Sequence, residues 1–252
     1  MAGWPLLSPL IVVTGAAIIV ALERRWPYDR GQPLFREGFW DDLVWYALAQ
    51  SYLLGLVIDA IIGWLDRGTG LSRLHLVSHW PLWLQLGFFL VTHDLYIYLF
   101  HRLQHRVPLL WRIHEAHHSG RQVDFLSGAR SHALEILINQ TIEFAPIVLL
   151  GAHPDVVYMK LAIDSVWGMY IHSNIGARYT WLSRVLVGPE LHRWHHALDL
   201  TDVNFATKFA WWDRLLGTVF LPGDRKPSGY GLIGTDFPKG YFRQQAHAFR
   251  RS

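Results

Sequence analysis

The sequence predicts an all-α integral membrane protein: a bundle of about four to five membrane helices with a cytoplasmic helical cap rich in histidine. Three observations predict this fold class. Hydrophobic residues make up 51% of the 252-residue chain, and they are concentrated in long runs. The 13 tryptophans, 10 tyrosines and 13 phenylalanines suit the aromatic belts of membrane interfaces. The 15 histidines are an excess, and most of them lie in tight clusters next to the apolar runs.

The composition also excludes several kinds of site. The chain has no cysteine, which excludes disulfides, iron–sulfur clusters and thiolate zinc sites. Any bound metal must therefore be held by imidazole or carboxylate groups. The formal net charge is only +3, and the basic residues lie between apolar segments rather than in one stripe. This distribution is typical of membrane topology, so we expect no nucleic-acid partner.

Three apolar runs predict membrane-spanning helices, at residues 6–22, 43–65 and 82–100. The first run resembles the apolar part of a signal peptide. However, no basic segment precedes it, and Glu23-Arg24-Arg25 follows it where a small-residue cleavage site would lie. We therefore expect an uncleaved first span.

A weaker pair of apolar segments follows, at residues 133–152 and 156–171, joined by a turn at 153–155. Four charged residues interrupt this pair: Glu135, Glu143, Lys160 and Asp164. We expect a hairpin that either crosses the bilayer fully or enters it partway. The chain beyond about residue 176 is too polar to span a membrane.

The positions of the basic residues predict the orientation. One end of the bundle carries Arg24, Arg25, Arg30, Arg36, Arg102, Arg106, Arg112, Arg121 and Arg130, whereas the other end carries Arg67 and Arg73. Because cytoplasmic loops are enriched in arginine and lysine, we expect the first end, with the histidine clusters, to face the cytoplasm. The N-terminus would then lie on the opposite side.

Nine histidines are candidate metal ligands. They are His101 and His105, then His114, His117 and His118, then His172, and finally His192, His195 and His196. Residues three and four apart share one face of a helix, so the H-x3-H pair and the two H-x2-HH clusters each present several imidazoles together. One metal takes about three or four protein ligands when a coordination position stays open, so nine histidines imply two metals. Imidazole suits iron, copper and zinc.

Four further residues are candidate catalytic groups that act beside the ligands: His93, Asp94, His132 and Asn174. His93 lies about 12 Å along the helix from the nearest ligand histidine, which favours a supporting role over metal binding. Asp94 is an acid within a span and therefore needs a polar partner. His132 is expected to orient a ligand. Asn174 either holds a metal-bound water, fixes the neighbouring ligand histidine, or merely caps the surface.

The histidine blocks resemble a known family. The strings at 93–105, 114–119, 172–174, 189–196, 202–206 and 212–218 are similar, in order, to the motifs of the sterol desaturase/fatty acid hydroxylase superfamily. The departures are Phe205-Ala206 in place of Tyr-Gly, Leu216 in place of Phe, and Ala133 where the family often has proline. None of these departures removes a histidine.

The resemblance implies a non-haem centre of two iron ions bound by the nine histidines, which attacks an unactivated C–H bond with the help of O₂ and electrons. The reaction would be hydroxylation or desaturation of a membrane lipid, such as a sterol, a fatty-acyl chain, an ether or amino lipid, or a carotenoid. Zinc can replace iron in such sites. The resemblance also implies three regions: membrane helices at 1–79, a catalytic domain at 80–222 and an irregular tail at 223–252.

The remaining expectations concern partners and location. The chain carries no cytochrome b5, flavin or Rossmann motif, so we expect electrons from a separate ferredoxin, cytochrome b5 or reductase. Arg102, Arg106, Arg112 and Arg121 are the candidate docking surface for an acidic donor. We expect the protein in the inner or cell membrane of a bacterium, or in the endoplasmic reticulum of a eukaryote.

Two other functions fit part of the pattern. A membrane zinc hydrolase would use two or three histidines and a carboxylate, as in H-E-x2-H, but it would leave six clustered histidines without a role. A non-enzymatic lipid-binding or metal-storage protein is the second alternative. Oxygen consumption on reduction would exclude that alternative.

Overall fold

The computed structural model describes residues 3–176, 181–198, 200–223, 225–234 and 237–250. Within these residues the secondary structure is helical, and the only extended pairings are isolated β-bridges such as Pro27 with Ile175. The prediction of an all-α chain is therefore confirmed.

Three helices in the described part of the chain are long and apolar enough to cross a membrane. They are α1 (Trp4–Arg25), α2 (Ser51–Thr69), which continues without a break from a π-helical segment at Asp41–Gln50, and α3 (Leu82–Arg106). Fewer than a quarter of the residues in each apolar window are buried inside the protein, which leaves the rest at least partly accessible to lipid. The three predicted spans are thus confirmed, and α3 extends beyond its prediction to include the first two ligand histidines.

The predicted hairpin consists of α5 (Ala133–Leu149) and α6 (Asp155–Ile171), each 17 residues long. A helix of that length measures about 26 Å, which is shorter than the roughly 30 Å hydrocarbon core of a bilayer. Helix α5 packs against α2, and α6 packs against α1. The hairpin therefore belongs to the bundle, and whether it crosses the bilayer fully stays a prediction.

Two glycines permit close approaches around this hairpin. A Cβ atom on Gly15 of α1 would lie 2.7 Å from Cγ2 of Val166 on α6, so glycine lets these helices pack tightly. Gly151, in the turn after α5, has a φ of +69°, and a Cβ there would lie 2.7 Å from the carbonyl oxygen of Ser72. The hairpin thus depends on glycine at its contacts with the first half of the chain.

Four shorter helices complete the fold. They are α4 (Pro108–His118), α7 (Pro189–His195), α8 (Trp211–Leu215) and α9 (Tyr241–His247). Proline at the first helical position starts both α4 and α7, the two helices that carry the H-x2-HH clusters. Helix α9 lies in the segment predicted to be irregular. It is held by bonds from the Tyr46 hydroxyl to Gln244 Oε1 (2.6 Å) and from the Ala133 amide to Gln245 Oε1 (2.8 Å).

The ends of α1 and α3 lie at the same end of the bundle as the histidines. The amide of Gly176 donates to the Trp26 carbonyl oxygen at 2.7 Å. The end of α1 therefore lies next to the chain that directly follows the His172-Ser173-Asn174 segment. A buried ion-pair network stabilises the loops there. Arg36 donates to both Asp124 and Asp42. These arginine–carboxylate bonds are paired charges, as burial requires.

Candidate metal centre

The structure brings all nine predicted ligand histidines together in two adjacent groups. The first group is His101, His105, His114, His118 and His195, and the second is His117, His172, His192 and His196. Within each group, one ring nitrogen of every member lies within 4.8 Å of the others. The groups are side by side, since the rings of His118 and His196 have centroids 4.5 Å apart. Residues far apart in sequence thus form one centre, since the rings of His101 and His195 have centroids 4.3 Å apart.

The first group contains two ring nitrogens whose lone pairs face each other. His101 donates its Nδ1 proton to the carbonyl oxygen of Phe205 at 2.9 Å, and His114 donates its Nδ1 proton to Glu135 at 2.8 Å. In a neutral imidazole the other nitrogen then carries only a lone pair. The Nε2 atoms of His101 and His114 nevertheless face each other at 3.1 Å. Two lone pairs repel at that distance unless a positive ion lies beside both.

The second group repeats this arrangement. His117 donates from Nδ1 to the carbonyl oxygen of Arg130 at 3.1 Å, and His172 donates from Nδ1 to that of Gly168 at 2.8 Å. Their Nε2 atoms are 3.2 Å apart. Each group therefore has its own pair of opposed lone pairs, which indicates two cation sites rather than one.

Protons do not fill these sites at neutral pH. Burial lowers the pKa of His172 to about 4. Burial also holds the pKa of His114, His117, His192 and His195 well below the usual value for histidine. The imidazoles are therefore neutral, which is the form that binds metal.

The distances within each group fit metal ligation. Two nitrogens bound about 2.0–2.1 Å from one ion and separated by roughly a right angle lie about 3 Å apart. The recorded contacts between Nε2 atoms range from 2.8 Å, for His192 with His172, to 3.2 Å, for His118 with His114. Both groups therefore have a donor set compatible with a bound metal ion. The geometry is compatible with the predicted ligand roles. The role of each individual histidine remains a proposal.

Hydrogen bonds donated by Nδ1 orient the ligand rings. Besides the four bonds described above, His195 donates from Nδ1 to the carbonyl oxygen of Val203 at 2.8 Å. Such bonds fix the tautomer and direct Nε2 towards a metal. The acceptors are backbone carbonyls for His101, His117, His172 and His195, whereas His114 uses the side chain of Glu135. The sequence identifies Glu135 only as a charged residue of the hairpin, and its position in a largely apolar segment is the available signal.

The tail strings at 202–206 and 212–218 act as supports for these carbonyls. Asp213 accepts bonds from the amides of Phe205 (2.8 Å) and Ala206 (3.0 Å) and from the Thr218 hydroxyl (2.7 Å). It therefore fixes the peptide whose carbonyl orients His101. A pairing of Asp213 with the adjacent arginine is expected from the sequence, and that expectation is wrong. Arg214 instead points towards the carbonyl oxygen of Ser183 at 3.4 Å.

The two predicted catalytic residues on α3 lie at the membrane-side edge of the centre. Asp94 accepts bonds from the hydroxyl of Thr207 (2.8 Å) and the amides of Lys208 and Phe209 (2.9 Å each), so it holds the segment that leads back to α8. His93 is outside both ligand groups. Its Nδ1 atom lies 3.0 Å from the ammonium nitrogen of Lys160. Their catalytic roles stay predictions.

The other two predicted catalytic residues face neighbouring loops. His132 caps α5 by accepting from the Leu134 amide at 3.1 Å, and its Nε2 donates to the carbonyl oxygen of Gln245 at 3.0 Å. Asn174 exchanges two bonds with the backbone of Asp29, at 2.9 and 3.0 Å. Both side chains thus fix the surroundings of the ligands, and direct participation in catalysis stays a prediction.

A third cluster of potential ligands is filled by a side chain. His93, Glu143 and Asp164 lie close enough together to hold an ion. However, the fully buried ammonium group of Lys160 lies among them and bonds to all three. Lys208 adds an ion pair to Asp164 at 3.0 Å. An ammonium cation thus takes the position that a metal would need, and the cluster forms a buried network of both charge signs.

A cavity of about 220 Å³ separates this charged cluster from the metal ligands. His101, His114, His117, His172 and His192 line one part of it, and Glu143, Asp164 and Lys208 line another. A molecule in this cavity therefore touches the metal ligands on one side and charged groups on the other.

Comparisons with known proteins agree with this geometry. The model of the family described as Fatty acid hydroxylase matches residues 86–218, which is more than half of the chain. The chain belongs to this family. The match includes every ligand histidine. The resemblance found in the sequence motifs is therefore confirmed. The protein is an enzyme of the oxidoreductase class, like the hydroxylases and monooxygenases to which it is similar.

Individual relatives act on lipids. The chain is 29% identical to the ornithine lipid hydroxylase OlsE of Rhizobium tropici over 96% of its own length and 75% of the relative. It is 32% identical to the alkylglycerol monooxygenase of Danio rerio over 63% of its length, and 29% identical to that of Homo sapiens over 55%. It spans only 35% and 31% of those two longer proteins. No solved structure gave a match.

Proposed function

We propose that this protein is an O₂-dependent hydroxylase that uses two non-haem iron ions to add a hydroxyl group to a membrane amino lipid of the ornithine-lipid type. The single observation that carries the proposal is the pair of adjacent imidazole groups, each with opposed Nε2 lone pairs. When bound there, two iron ions would supply the reductive activation of O₂ needed to attack an unactivated C–H bond. The nine histidines would hold the ions.

The substrate assignment rests on two arguments. The relative named for ornithine lipid aligns with nearly the whole chain, whereas the alkylglycerol monooxygenases align with 63% of it or less. In addition, the cavity next to the ligands is lined by Lys208 as well as by Glu143 and Asp164. Groups of both signs suit a zwitterionic headgroup that carries an amine and a carboxylate. An alkylglycerol ether lipid is the second candidate substrate, because the Danio rerio relative has the higher identity.

The reaction consumes one O₂, two electrons and two protons, and it forms one hydroxylated lipid and one water. We propose that the electrons come from a separate ferredoxin, cytochrome b5 or reductase that docks at the histidine end of the bundle. Arg106 and Arg121 are exposed there, whereas Arg102 and Arg112 are partly buried and bond to Tyr98 and to the carbonyl oxygen of Arg250. The exposed pair therefore forms the core of the proposed docking surface.

The test combines metal analysis with product analysis. Protein expressed with ⁵⁷Fe should contain about two irons per chain and give a Mössbauer spectrum of a coupled, nitrogen-rich pair. A variant with His195→Ala and His196→Ala removes one ligand from each group and should lose that spectrum. With ornithine lipid, a reductase system and ¹⁸O₂, the product should gain one ¹⁸O atom. Protein that binds no iron and cannot be reconstituted with it would refute the oxygenase proposal and favour a zinc hydrolase.

We also propose that the histidine end faces the cytoplasm and that residues 80–222 form the catalytic unit. Because the chain contains no cysteine, single cysteines report its topology directly. Lys239, exposed at the histidine end, and Thr69, exposed at the opposite end of α2, are suitable positions. In intact cells, a membrane-impermeant maleimide should label Thr69→Cys and spare Lys239→Cys. The reverse pattern would contradict the orientation.

A further inference from the structure

A second cavity, of about 670 Å³, lies between α2 and the α5–α6 hairpin. Its lining is mainly apolar and includes Ile58, Phe144 and Leu161. It extends from Gly128, where an added Cβ would touch the His172 ring, to Val148 near the end of α5. The cavity thus begins beside the metal ligands and continues along the membrane helices. We call it the lipid groove.

The lipid groove and the cavity at the metal ligands share two lining residues, Asp164 and Gly168. These residues lie one turn apart on α6, so they are on the same face of the helix. A Cβ atom added to Gly168 would meet no atom within 4 Å in the described part of the chain. The two cavities therefore border the same turn of α6, at a position where the helix carries no side chain.

The sizes of the cavities indicate how a lipid would use them. Ordinary ligand sites measure about 300–1,000 Å³. The cavity at the metal ligands, at about 220 Å³, is smaller than that range, whereas the lipid groove, at about 670 Å³, falls within it. Only part of a long-chain lipid can thus lie against the ligands, and the rest needs a second compartment. The groove is large and apolar enough to be that compartment.

We propose that the long-chain lipid substrate lies in the groove between α2 and the α5–α6 hairpin and crosses α6 over Gly168, so that the residue at position 168 determines which part of the lipid reaches the metal ligands. The proposal rests on the proposed function for the identity of the reaction. The binding path itself can be tested without turnover. Gly168 would determine specificity through the space that it leaves open, since it has no side chain that could take part in the reaction.

Substitutions at Gly168 are suited to a test. Its carbonyl oxygen, which accepts the His172 proton, is present whatever the side chain. The helix also favours alanine or leucine over glycine, so a larger residue there supports α6. Gly87 on α3 is a matched control, since a Cβ there also meets no atom within 4 Å and the residue lines neither cavity.

The experiment uses a photoreactive lipid and the full-length protein. The probe is a long-chain ornithine lipid with one diazirine near the headgroup or, in a second synthesis, at the end of the acyl chain. Cross-linked peptides are mapped by mass spectrometry, and iron content is measured on the same samples. In the wild type and in Gly87→Leu, the headgroup probe should label residues at the metal ligands, and the chain-end probe should label the lipid groove.

In Gly168→Leu, labelling at the metal ligands should fall at least about tenfold. Extra methylene groups in a packed space typically cost about 1–3 kcal/mol, and about 1.4 kcal/mol corresponds to a tenfold change in occupancy. Labelling of the groove and iron content should stay unchanged. If Gly168→Leu loses iron, Gly168→Ala decides the question by a partial loss of the same labelling with iron retained. Unchanged labelling at the metal ligands in Gly168→Leu would overturn the proposal. Wild-type labelling confined to a third cavity, of about 420 Å³ and lined by Ile19, Leu182 and Leu186, would also overturn it. These outcomes are independent of whether the lipid is hydroxylated.

Discussion

Replacing Glu135 should weaken one metal site and spare the other. Glu135 is 5% exposed, and its Oε1 atom accepts from His114 at 2.8 Å and from the amide of Gln104 at 3.0 Å. In Glu135→Leu, the Nδ1–H of His114 loses its acceptor and the ring is free to turn. Loss of a group that orients a metal ligand typically lowers metal affinity about 10- to 100-fold, which corresponds to roughly 1.4–2.8 kcal/mol for the ion held by the first group.

Chelator competition tests this selectivity. Wild-type protein with two bound ions is titrated with chelators of graded affinity, and the metal released per chain is measured. Glu135→Leu should release one ion at a 10- to 100-fold lower chelating strength and the second at the wild-type position. Glu37→Gln, at an exposed carboxylate that pairs with Lys239 and bonds to no histidine in the described part of the chain, is the control. Loss of both ions together, or of neither, would show that Glu135 does not set the affinity of the first group alone.

Three further perturbations test other parts of the centre. Asp213→Asn should lower the free energy of unfolding by about 1.5–3 kcal/mol in a denaturation experiment, because an amide cannot accept from both facing backbone amides, and an unchanged midpoint would contradict the role of Asp213. The metal-free protein should lose thermal stability as the pH falls from 6.5 towards 4. The folded state lowers the pKa of His172 to about 4, so the unfolded state binds more protons in that pH range. A melting temperature that does not change over this range would refute the prediction. Arg121→Glu should lower donor-dependent turnover at low salt, and high salt should reduce the difference, whereas Arg67→Glu at the opposite end should have no effect.

Local patterns in the sequence predicted the three long helices and the clustering of the nine histidines. The spacing of His101 and His105, and of His114 and His118, placed each pair on one helical face, and α3 and α4 present them in that way. Apolar run length predicted the three long helices because membrane spans are defined by length and hydropathy. These features depend on residues within a few turns of each other.

The supports of the ligands could not be predicted in the same way. The carbonyl of Phe205 reaches His101 from more than a hundred positions later in the chain, and no periodicity encodes that contact. The adjacent opposite charges of Asp213 and Arg214 suggest an ion pair, and that expectation is wrong. In the fold, the carboxylate of Asp213 instead accepts from the backbone amides of Phe205 and Ala206. The ammonium group of Lys160 in the third cluster is likewise a product of tertiary packing between α3, α5 and α6.

The opposed lone pairs have a consequence for the life of the protein in the cell. Without a cation, the Nε2 atoms of His101 and His114, and those of His117 and His172, push apart the segments that carry them. With one, His101 and His114 would link α3 to α4, and His117 and His172 would link α4 to the end of α6. The binding energy would then add to the stability of the folded state. If the centre binds metal as proposed, metal supply should govern how much of the protein survives quality control, and starvation for the metal should be visible first as a shorter half-life.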